Sequence, residues 1–343
     1  MKAVQLEKYN KDLKVKVNEV DVPTIQPNEV LVKVAYAAIN PLEKLTITGS
    51  VKLIQDYPKP FTLGNELTGT VVKVGESVKD VALGEAIYTR LPIEKIGAFA
   101  EYVAVDAQYI APLPKNLDFQ TGAAAPLTGL TAYQVLTEEL KAESGKTVFI
   151  SGGSGSFGQM AVPIAKSMGL KVIISGNPRL KETFIAKGVD QYIDYTTENY
   201  WEVLSHVDYV IDTLGPNEFD RELSIMKPGG TIVSLINAPN KAFAEKHGLS
   251  KVKTLLFGIA GRKFDRKAKA KGMTYRFIFV RADGKQLKDI TNMIEREHIV
   301  PDVDPQTFTI DHIDQALDYT FNQRTKGKVL LQFDAEMERK IHG

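Results

Sequence analysis

The chain has 343 residues, of which 43% are hydrophobic and 25% charged, a composition typical of a globular protein with about two domains at this length. Its 43 Lys and Arg residues against 42 Asp and Glu residues give a net charge of +1, which excludes a globally basic nucleic-acid-binding protein. The sequence contains no cysteine, so disulfides, thiolate zinc sites, iron–sulfur clusters and cysteine nucleophiles are excluded together.

We expect no secretory signal at the start of the chain. MKAVQLEKYN alternates in polarity and lacks the apolar core of a secretory signal. No stretch approaches the run of about 18 apolar residues that a transmembrane helix needs. We therefore expect a cytoplasmic protein with no membrane partner.

Residues 1–110 are predicted to be rich in β-strands. The runs EVLVKVAYAAI (29–39), GTVVKVG (69–75) and EYVAVDAQYIA (101–111) are short and β-branched, and Gly and Pro separate them at irregular spacing. This pattern predicts a small, partly open barrel or sandwich of antiparallel strands.

The pattern changes near Gly122, where GAAAPLTGLTAYQVLTEEL (122–140) has helical spacing. Beyond it, short apolar runs alternate with helical segments, which predicts βαβ units and a parallel sheet covered on both faces. The predicted strands are TVFIS (147–151), KVIIS (171–175), DYVIDTLG (208–215), GTIVSLI (230–236) and YRFIFVR (275–281), followed by a helix at 285–297 and a last strand, GKVLLQF (327–333).

A glycine-rich loop follows the strand 147–151. Its glycines match G-x-G-x-x-G, and the loop opens a helix that leads to a second strand within about 30 residues, the context that the motif requires. Such glycines allow a tight turn and close approach to a pyrophosphate, which the helix N-terminus attracts. A flexible linker is the alternative, but linkers are not bracketed by buried strands. We expect the pyrophosphate at Gly153, Ser154, Gly155, Ser156, Phe157 and Gly158, and a kink in the helix at Pro163.

The end of the next strand favours NADP(H) over NAD(H). An NAD site usually has an acidic residue there, about 20 residues after the loop, to hold the ribose 2′-hydroxyl. The segment SGNPRLK (175–181) has no acid, and an arginine suits a 2′-phosphate. Ser175, Asn177 and Arg179 are therefore candidate 2′-phosphate ligands. The alternative is that Arg179 and Lys181 are exposed charges on the next helix.

Five segments occur in an order that a known family shares. They are INPLEKLTITG (39–49), FTLGNELTGTVVKVGESVKDVALGEAIY (61–88), GAFAEYVAVDAQYIAPLPKNLDFQTGAAAPLTGLTA (97–132), VDQYIDY (189–195) and GKVLL (327–331). Through them the chain resembles the medium-chain dehydrogenase/reductases, and within these the zinc-free quinone oxidoreductase and enone reductase branch.

The resemblance implies an α/β protein of two domains. A GroES-like, partly open barrel that binds the substrate would comprise residues 1–122 and 285–343. A Rossmann domain with a doubly wound parallel sheet, residues 123–284, would bind NADP(H). The resemblance also implies an active site in the cleft between the domains, and a homodimer formed through the nucleotide domain, with YRFIFVR (275–281) as a candidate contact.

The metal ligands of the zinc-dependent relatives are missing. Their G-H-E motif reads Gly64-Asn65-Glu66 here, and the histidines at 206, 247, 298, 312 and 342 are scattered. We expect no metal, and hydrogen-bonding roles for Asn65 and Glu66. Without a metal to polarise an alcohol, the expected substrates are quinones and α,β-unsaturated carbonyls.

The expected reaction is hydride transfer from NADPH to a quinone or to the β-carbon of an enone, with donors at the carbonyl oxygen. The resemblance suggests Asn40 as that donor and places Thr128 beside the nicotinamide. A turn or capping role for Asn40 and a helix N-cap for Thr128 are the alternatives. Glu43 would need a raised pKa to act as an acid, and Tyr57 would supply a phenol or simply pack.

Further cofactor contacts follow from the resemblance and from strand ends. Tyr195 is expected near the cofactor phosphate. Leu235 and Ile236 are expected to cover the nicotinamide ribose, with a plain core role as the alternative. Leu214, at the end of the strand 208–215, completes the predicted cofactor site.

GRKFDRKAKAKG (261–272) holds six basic residues against one acid. A solvated helix face is the preferred interpretation, and contact with nucleic acid or with a CoA phosphate is the alternative. Two rival functions remain, a non-catalytic NADPH-binding protein or sensor and an enoyl-thioester reductase. The predicted partner is a small molecule, not a nucleic acid.

Overall fold

The structure, a computed structural model, describes residues 1–334, so His342 and the end of the predicted segment 285–343 lie outside the described residues. The chain forms two compact units. Unit 1 comprises Met1–Leu130 and the chain from Arg281 onward, and unit 2 comprises Thr131–Val280. The domain limits expected from the sequence stay a prediction.

The strands alternate with helices only in the second half of the chain. The strands are β1 (Lys2–Leu6), β2 (Lys16–Glu19), β3 (Glu29–Ala38), β4 (Phe61–Thr62), β5 (Glu66–Val74), β6 (Ala86–Arg90), β7 (Tyr102–Asp106), β8 (Ile110–Pro112), β9 (Thr147–Ile150), β10 (Lys171–Gly176), β11 (Gln191–Asp194), β12 (Val207–Asp212), β13 (Met226–Ser234), β14 (Thr274–Phe277), β15 (Val303–Thr309) and β16 (Lys328–Gln332). The α-helices are α1 (Pro41–Ile47), α2 (Phe119–Gly122), α3 (Pro126–Gln134), α4 (Ser156–Ser167), α5 (Lys181–Ala186), α6 (Tyr200–Val203), α7 (Phe219–Ser224), α8 (Lys241–Lys246), α9 (Lys251–Ala270), α10 (Gly284–Arg296) and α11 (Ile313–Asn322). Among the described helices, none has the length and apolarity required to cross a bilayer.

Unit 1 is built from antiparallel sheets. A seven-stranded sheet has the order β15-β16-β3-β5-β6-β8, with β7 paired to β3, and a smaller sheet has the order β2-β1-β4. Apart from the parallel pair β15–β16, neighbouring strands are antiparallel. Val32, Leu67, Phe99 and Leu331 are fully buried members of the core of this unit. The predicted β-rich fold is confirmed, and strand β16 brings the C-terminal part of the chain beside β3.

Unit 2 contains the parallel sheet. Its order, β11-β10-β9-β12-β13-β14, is that of a doubly wound Rossmann sheet, in which the strand order reverses between β9 and β12. Each described pairing in the sheet is parallel, and the aliphatic residues of β9, β10 and β12 are almost all buried. The predicted Rossmann fold is confirmed. The ligand crevice of such a sheet lies at the carboxyl ends of the strands near the reversal.

Several predicted elements differ from the structure, among them the strand predicted at 208–215, which ends at Asp212 and leaves Leu214 in the following loop. The strand predicted at 101–111 is interrupted, because the Asp106 side chain accepts a hydrogen bond from Gln108 N (2.9 Å) and stabilises a 3₁₀ turn between β7 and β8. The helix predicted at 122–140 is divided: α2 ends at Gly122, and α3 begins at Pro126 and continues as a π-helical turn through Val135–Glu139. The strand predicted at 275–281 ends at Phe277.

Two other predictions concern helices of unit 2. Helix α4 continues through Pro163 to Ser167, and the kink expected there stays a prediction. The basic segment from Gly261 onward forms the C-terminal half of α9, whose buried residues are Phe257, Gly261, Phe264 and Ala268. The basic side chains of this segment lie on the exposed side of the helix.

Candidate functional site

The glycine-rich loop of unit 2 joins β9 to α4, and each glycine has a physical role. Gly152 has a φ of +63°, so the tight turn depends on this residue rather than on Gly153. A Cβ on Gly153 would lie 2.9 Å from the Ile174 side chain, and one on Gly158 would lie 1.7 Å from Gly153 O. Gly155 is open, since only Gly152 O, at 3.8 Å, lies near its Cβ position. The loop is therefore closely packed on the protein side and accessible on the other.

The strand β10 supports this loop through the residues at its end. Ser175 Oγ accepts a hydrogen bond from Gly152 N (3.1 Å), and Asn177 N donates to Ser154 Oγ (3.0 Å). Arg179 is exposed and forms no ion pair in the described part of the chain. Tyr195 is 55% exposed, and its backbone N–H reaches Gly176 O at 3.5 Å. The structure thus brings the predicted 2′-phosphate residues to one end of the sheet.

A buried carboxylate that sequence reasoning missed orders the neighbouring loops. Asp212 is fully buried at the end of β12. Its Oδ1 accepts hydrogen bonds from Leu214 N (2.8 Å) and Gly215 N (2.7 Å), and its Oδ2 accepts from Ser234 Oγ (2.6 Å) and Asn237 Nδ2 (2.6 Å). Asp212 therefore ties the loop after β12 to the loop after β13.

These two loops carry the remaining predicted cofactor residues. Leu214 is 48% exposed and Ile236 is 53% exposed, whereas Leu235 is half-buried. The core alternative is therefore wrong for Ile236. Because a Cβ on Gly215 would lie 2.9 Å from Ile236 Cδ1, the two loops are in close contact.

Glu222, on α7, lies next to this carboxylate. It is fully buried, and neither of its carboxylate oxygens accepts a hydrogen bond. Burial, and then the negative charge of Asp212, raise the pKa of Glu222 to about 9. Glu222 is therefore protonated at neutral pH, while Asp212 is the acceptor for the loops.

Unit 1 contains a buried cluster of amides, carboxylates and a lysine. Asn40 is the N-cap of α1, as one of the alternatives predicted, and its backbone N–H donates to Glu43 Oε2 (2.6 Å). Asn40 Nδ2 donates to Glu66 Oε1 (2.8 Å) and, more weakly, to Ala38 O (3.3 Å). Lys328 Nζ donates to the same Glu66 oxygen at 2.7 Å, and Leu127 N donates to Glu66 Oε2 at 2.7 Å.

Asn65 and Glu66 form hydrogen bonds inside the barrel, as expected. Asn65, which stands where the G-H-E motif has histidine, donates from Nδ2 to Glu43 Oε1 (2.8 Å). Burial, with a smaller contribution from the charge of Glu66, raises the pKa of Glu43 to about 7. Within residues 1–334, no group of three or more His, Cys, Asp or Glu side chains is placed to hold a metal ion.

Tyr57 and Thr128, the two hydroxyl residues among the predicted catalytic residues, already donate hydrogen bonds to the protein backbone. Tyr57 OH donates to Ile93 O (2.8 Å), the ring stacks on Phe61 at 4.5 Å, and burial raises the pKa of Tyr57. Thr128 Oγ1 donates to Ala124 O (3.1 Å) from inside α3, so the N-cap alternative for Thr128 is wrong.

Arg90 is a further residue of this region that the sequence did not indicate. It is fully buried at the end of β6, directly opposite Glu66 in the β5–β6 register. Its Nη1 donates to Leu91 O, while Nε and Nη2 have no hydrogen-bond partner. Burial lowers the pKa of Arg90 to about 10, so the guanidinium remains charged at neutral pH.

Lys328, Arg90 and Asp212, which sequence reasoning missed, share one weak sequence signal: each is a charged residue inside or at the end of an otherwise apolar strand. This is the setting of Lys328 in GKVLL, Arg90 in IYTR and Asp212 in YVID. A charge in such a position requires partners, because burying an unpaired ion is costly. The sequence does not identify these partners, because they come from distant parts of the chain.

Gly158→Ala is predicted to weaken NADPH binding at least about tenfold, because the new Cβ would displace Gly153 and distort the phosphate loop. Gly155→Ala meets no protein atom closer than 3.8 Å, so any loss of affinity there reports contact with the ligand. Fluorescence titration with NADPH measures both. Unchanged affinity in Gly158→Ala would contradict the role of the loop.

Glu222→Gln is predicted to stabilise the protein increasingly as the pH rises. Between about pH 5 and 9 the folded state keeps a proton on Glu222 that the unfolded state releases. The free energy of unfolding of the wild-type protein therefore falls as the pH increases, whereas glutamine has no proton to release. We expect a gain of at least about 1 kcal/mol at pH 8 and almost none at pH 4 from urea unfolding. The exposed Glu198→Gln is the control. A gain independent of pH would show that Glu222 is not protonated.

Two family descriptions match parts of the chain. Residues 26–115 match "Alcohol dehydrogenase GroES-like domain", and residues 187–331 match "Zinc-binding dehydrogenase". The second description names a metal whose expected ligands this sequence lacks.

Similar proteins cover most of the chain. The 2-methylene-furan-3-one reductase of Solanum lycopersicum is 30% identical over 323 residues, 92% of this chain and 74% of that protein. The chloroplastic NADPH-dependent alkenal/one oxidoreductase of Arabidopsis thaliana is 30% identical over 319 residues, 90% of this chain and 73% of that protein. The structure of the quinone oxidoreductase from Coxiella burnetii has a TM-score of 0.80 at 24% identity, and covers 97% of this chain and 99% of that one. The chain belongs to the medium-chain dehydrogenase/reductase superfamily, in its branch of quinone oxidoreductases and enone reductases.

Proposed function

We propose that this chain is an NADPH-dependent reductase that transfers hydride to a quinone or to the β-carbon of an α,β-unsaturated carbonyl, without zinc. The observation that carries this proposal is the polar cluster of unit 1. Amide and carboxyl groups, joined by hydrogen bonds, stand where the zinc-dependent relatives are expected to hold a metal. The names of the two plant relatives support an enone or alkenal as the acceptor.

The cofactor site supports NADPH. The loop from Gly153 to Gly158 would hold the pyrophosphate at the N-terminus of α4, and the acid-free segment 175–181 would hold the 2′-phosphate. Asp212 would act as a positioning residue, because it fixes the loops that carry Leu214, Leu235 and Ile236. When bound, NADPH would supply a hydride with its electron pair and be oxidised to NADP+, and water would supply the proton that completes reduction of the acceptor.

The proposal includes a homodimer in the cytoplasm. The edge strand β14 supports the dimer, because it pairs only with β13 in the described part of the chain and leaves one backbone edge open. The absence of cysteine is consistent with a reducing compartment. The basic half of α9 would remain a solvated face.

The proposal is tested by NADPH consumption of the purified protein with quinones and small enones in parallel, with and without a chelator. We expect turnover with NADPH, much slower turnover with NADH, and the same rates with the chelator. Tight NADPH binding without consumption of any acceptor would contradict the proposal and favour a sensor. A loss of activity in the chelator would contradict the zinc-free reaction.

Arg179→Met is predicted to weaken NADPH binding about ten- to a hundredfold and to leave NADH binding unchanged, since only NADPH carries the 2′-phosphate. Lys181→Met, two residues further on, is the matched control for a general loss of positive charge. Both affinities come from fluorescence titration. Equal losses in the two variants would show that the region attracts phosphate without a specific contact at Arg179.

A further inference from the structure

The hydride acceptor needs a hydrogen-bond donor at its oxygen, and the neutral donors that the sequence suggested are already engaged. Both amide hydrogens of Asn40 are directed at Ala38 O and Glu66 Oε1. The hydroxyls of Tyr57 and Thr128 donate to the backbone carbonyls of Ile93 and Ala124. A substrate carbonyl would have to break one of these bonds to obtain a donor from these residues.

Arg90 is different, because its Nε and Nη2 hydrogens have no acceptor although the side chain is fully buried. Unpartnered donors on a buried charge are costly, and native proteins rarely leave them without a reason. Two N–H groups on one guanidinium form a fork that matches the lone pairs of an oxygen anion.

The carboxylates around Arg90 act on its charge without pairing to it. Tyr57 and Glu94, and then Glu66 and Glu43, favour the charged guanidinium, yet none of the three glutamates forms an ion pair with Arg90. The oxygens of Glu66 and Glu43 are already occupied: Glu66 accepts from Asn40, Lys328 and Leu127 N. Asn65 Nδ2 and Asn40 N occupy Glu43 in the same way. The guanidinium is therefore electrically compensated while its donors stay available.

We propose that Arg90 is a catalytic residue that binds the carbonyl oxygen of the acceptor and holds the enolate or hydroquinone anion formed by hydride transfer. The inference rests on the proposed reductase function and names the group that receives its substrate. NADPH, oxidised to NADP+, would supply the hydride and its electron pair to the acceptor carbon. Arg90 would hold the negative charge that develops on the acceptor oxygen until water protonates the anion. Arg90 keeps its own protons throughout.

The proposal has a test that needs no turnover. The dye 4-nitrophenol absorbs visible light only when its phenol is ionised, so its absorbance reports the pKa of the phenol. A cationic side chain that contacts the phenolate oxygen lowers this pKa. The full-length protein is expected to bind the phenolate and lower that pKa, and Arg90→Met is expected to abolish both effects. Arg90→Lys keeps the charge without the fork and is expected to retain part of the shift.

Kinetics with an enone provide the second readout. Arg90→Met is expected to lower kcat/KM at least about a hundredfold, as loss of an oxyanion donor does elsewhere, with NADPH affinity unchanged. Arg179→Met is the control with the opposite expectation: its NADPH affinity should fall, and its shift of the phenol pKa should equal that of the wild type. Removing one charge from a buried set can destabilise the fold, so thermal melting of each variant verifies folding, and Arg90→Lys keeps the charge.

The outcomes separate the two proposals. Turnover by the wild type, with kcat/KM and the phenolate shift retained in Arg90→Met, would overturn the role of Arg90 and leave the reductase proposal standing. A phenolate shift that depends on Arg90, without turnover of any acceptor, would overturn the reductase proposal and retain Arg90 as an oxyanion-binding group. The inference would also be wrong if the wild-type protein did not shift the pKa of the phenol and the Arg90→Met variant kept full activity.

Discussion

The carboxylate of Glu66 is the interaction on which unit 1 depends. It is fully buried and accepts hydrogen bonds from Asn40 at the start of α1, Leu127 at the start of α3 and Lys328 in the last described strand. A carboxylate removed from water is tolerated only with such partners, so the chain must bring all three segments to β5 in one arrangement. The same group therefore joins α1, α3 and β16 to β5 within the polar cluster.

Asp212 has the equivalent role in unit 2. It occupies the carboxyl end of a central strand, near the reversal of strand order, and its four short hydrogen bonds order two loops. Glu222 keeps its proton beside it, which avoids two adjacent buried negative charges. Each unit therefore contains a buried acid that links separate segments, the starts of α1 and α3 and strand β16 in unit 1 and two loops in unit 2.

The sequence was sufficient for the parts that depend on local pattern. The strand–loop–helix context of Gly153 to Gly158 identified the dinucleotide fold, and the change of periodicity near Gly122 marked the transition to parallel strands. It was not sufficient for the cluster as a whole, because Lys328 and Glu66 are 262 residues apart and the motif at Glu66 does not identify its partners. Breaks in predicted elements, such as the turn stabilised by Asp106, depend on single side-chain hydrogen bonds that periodicity does not detect.

The arrangement around Arg90 keeps a buried cation charged while leaving two of its donors without a partner. A charge in a dry environment interacts more strongly with a developing anion than one in water, but an ion paired directly with a carboxylate would lose that advantage. Asn65, Asn40 and Lys328 satisfy the oxygens of Glu43 and Glu66, so these carboxylates lessen the cost of burying Arg90 without occupying its donors. Asparagine in the G-H-E motif then has a reason beyond the loss of a zinc ligand. The amide at position 65 donates a hydrogen bond to Glu43.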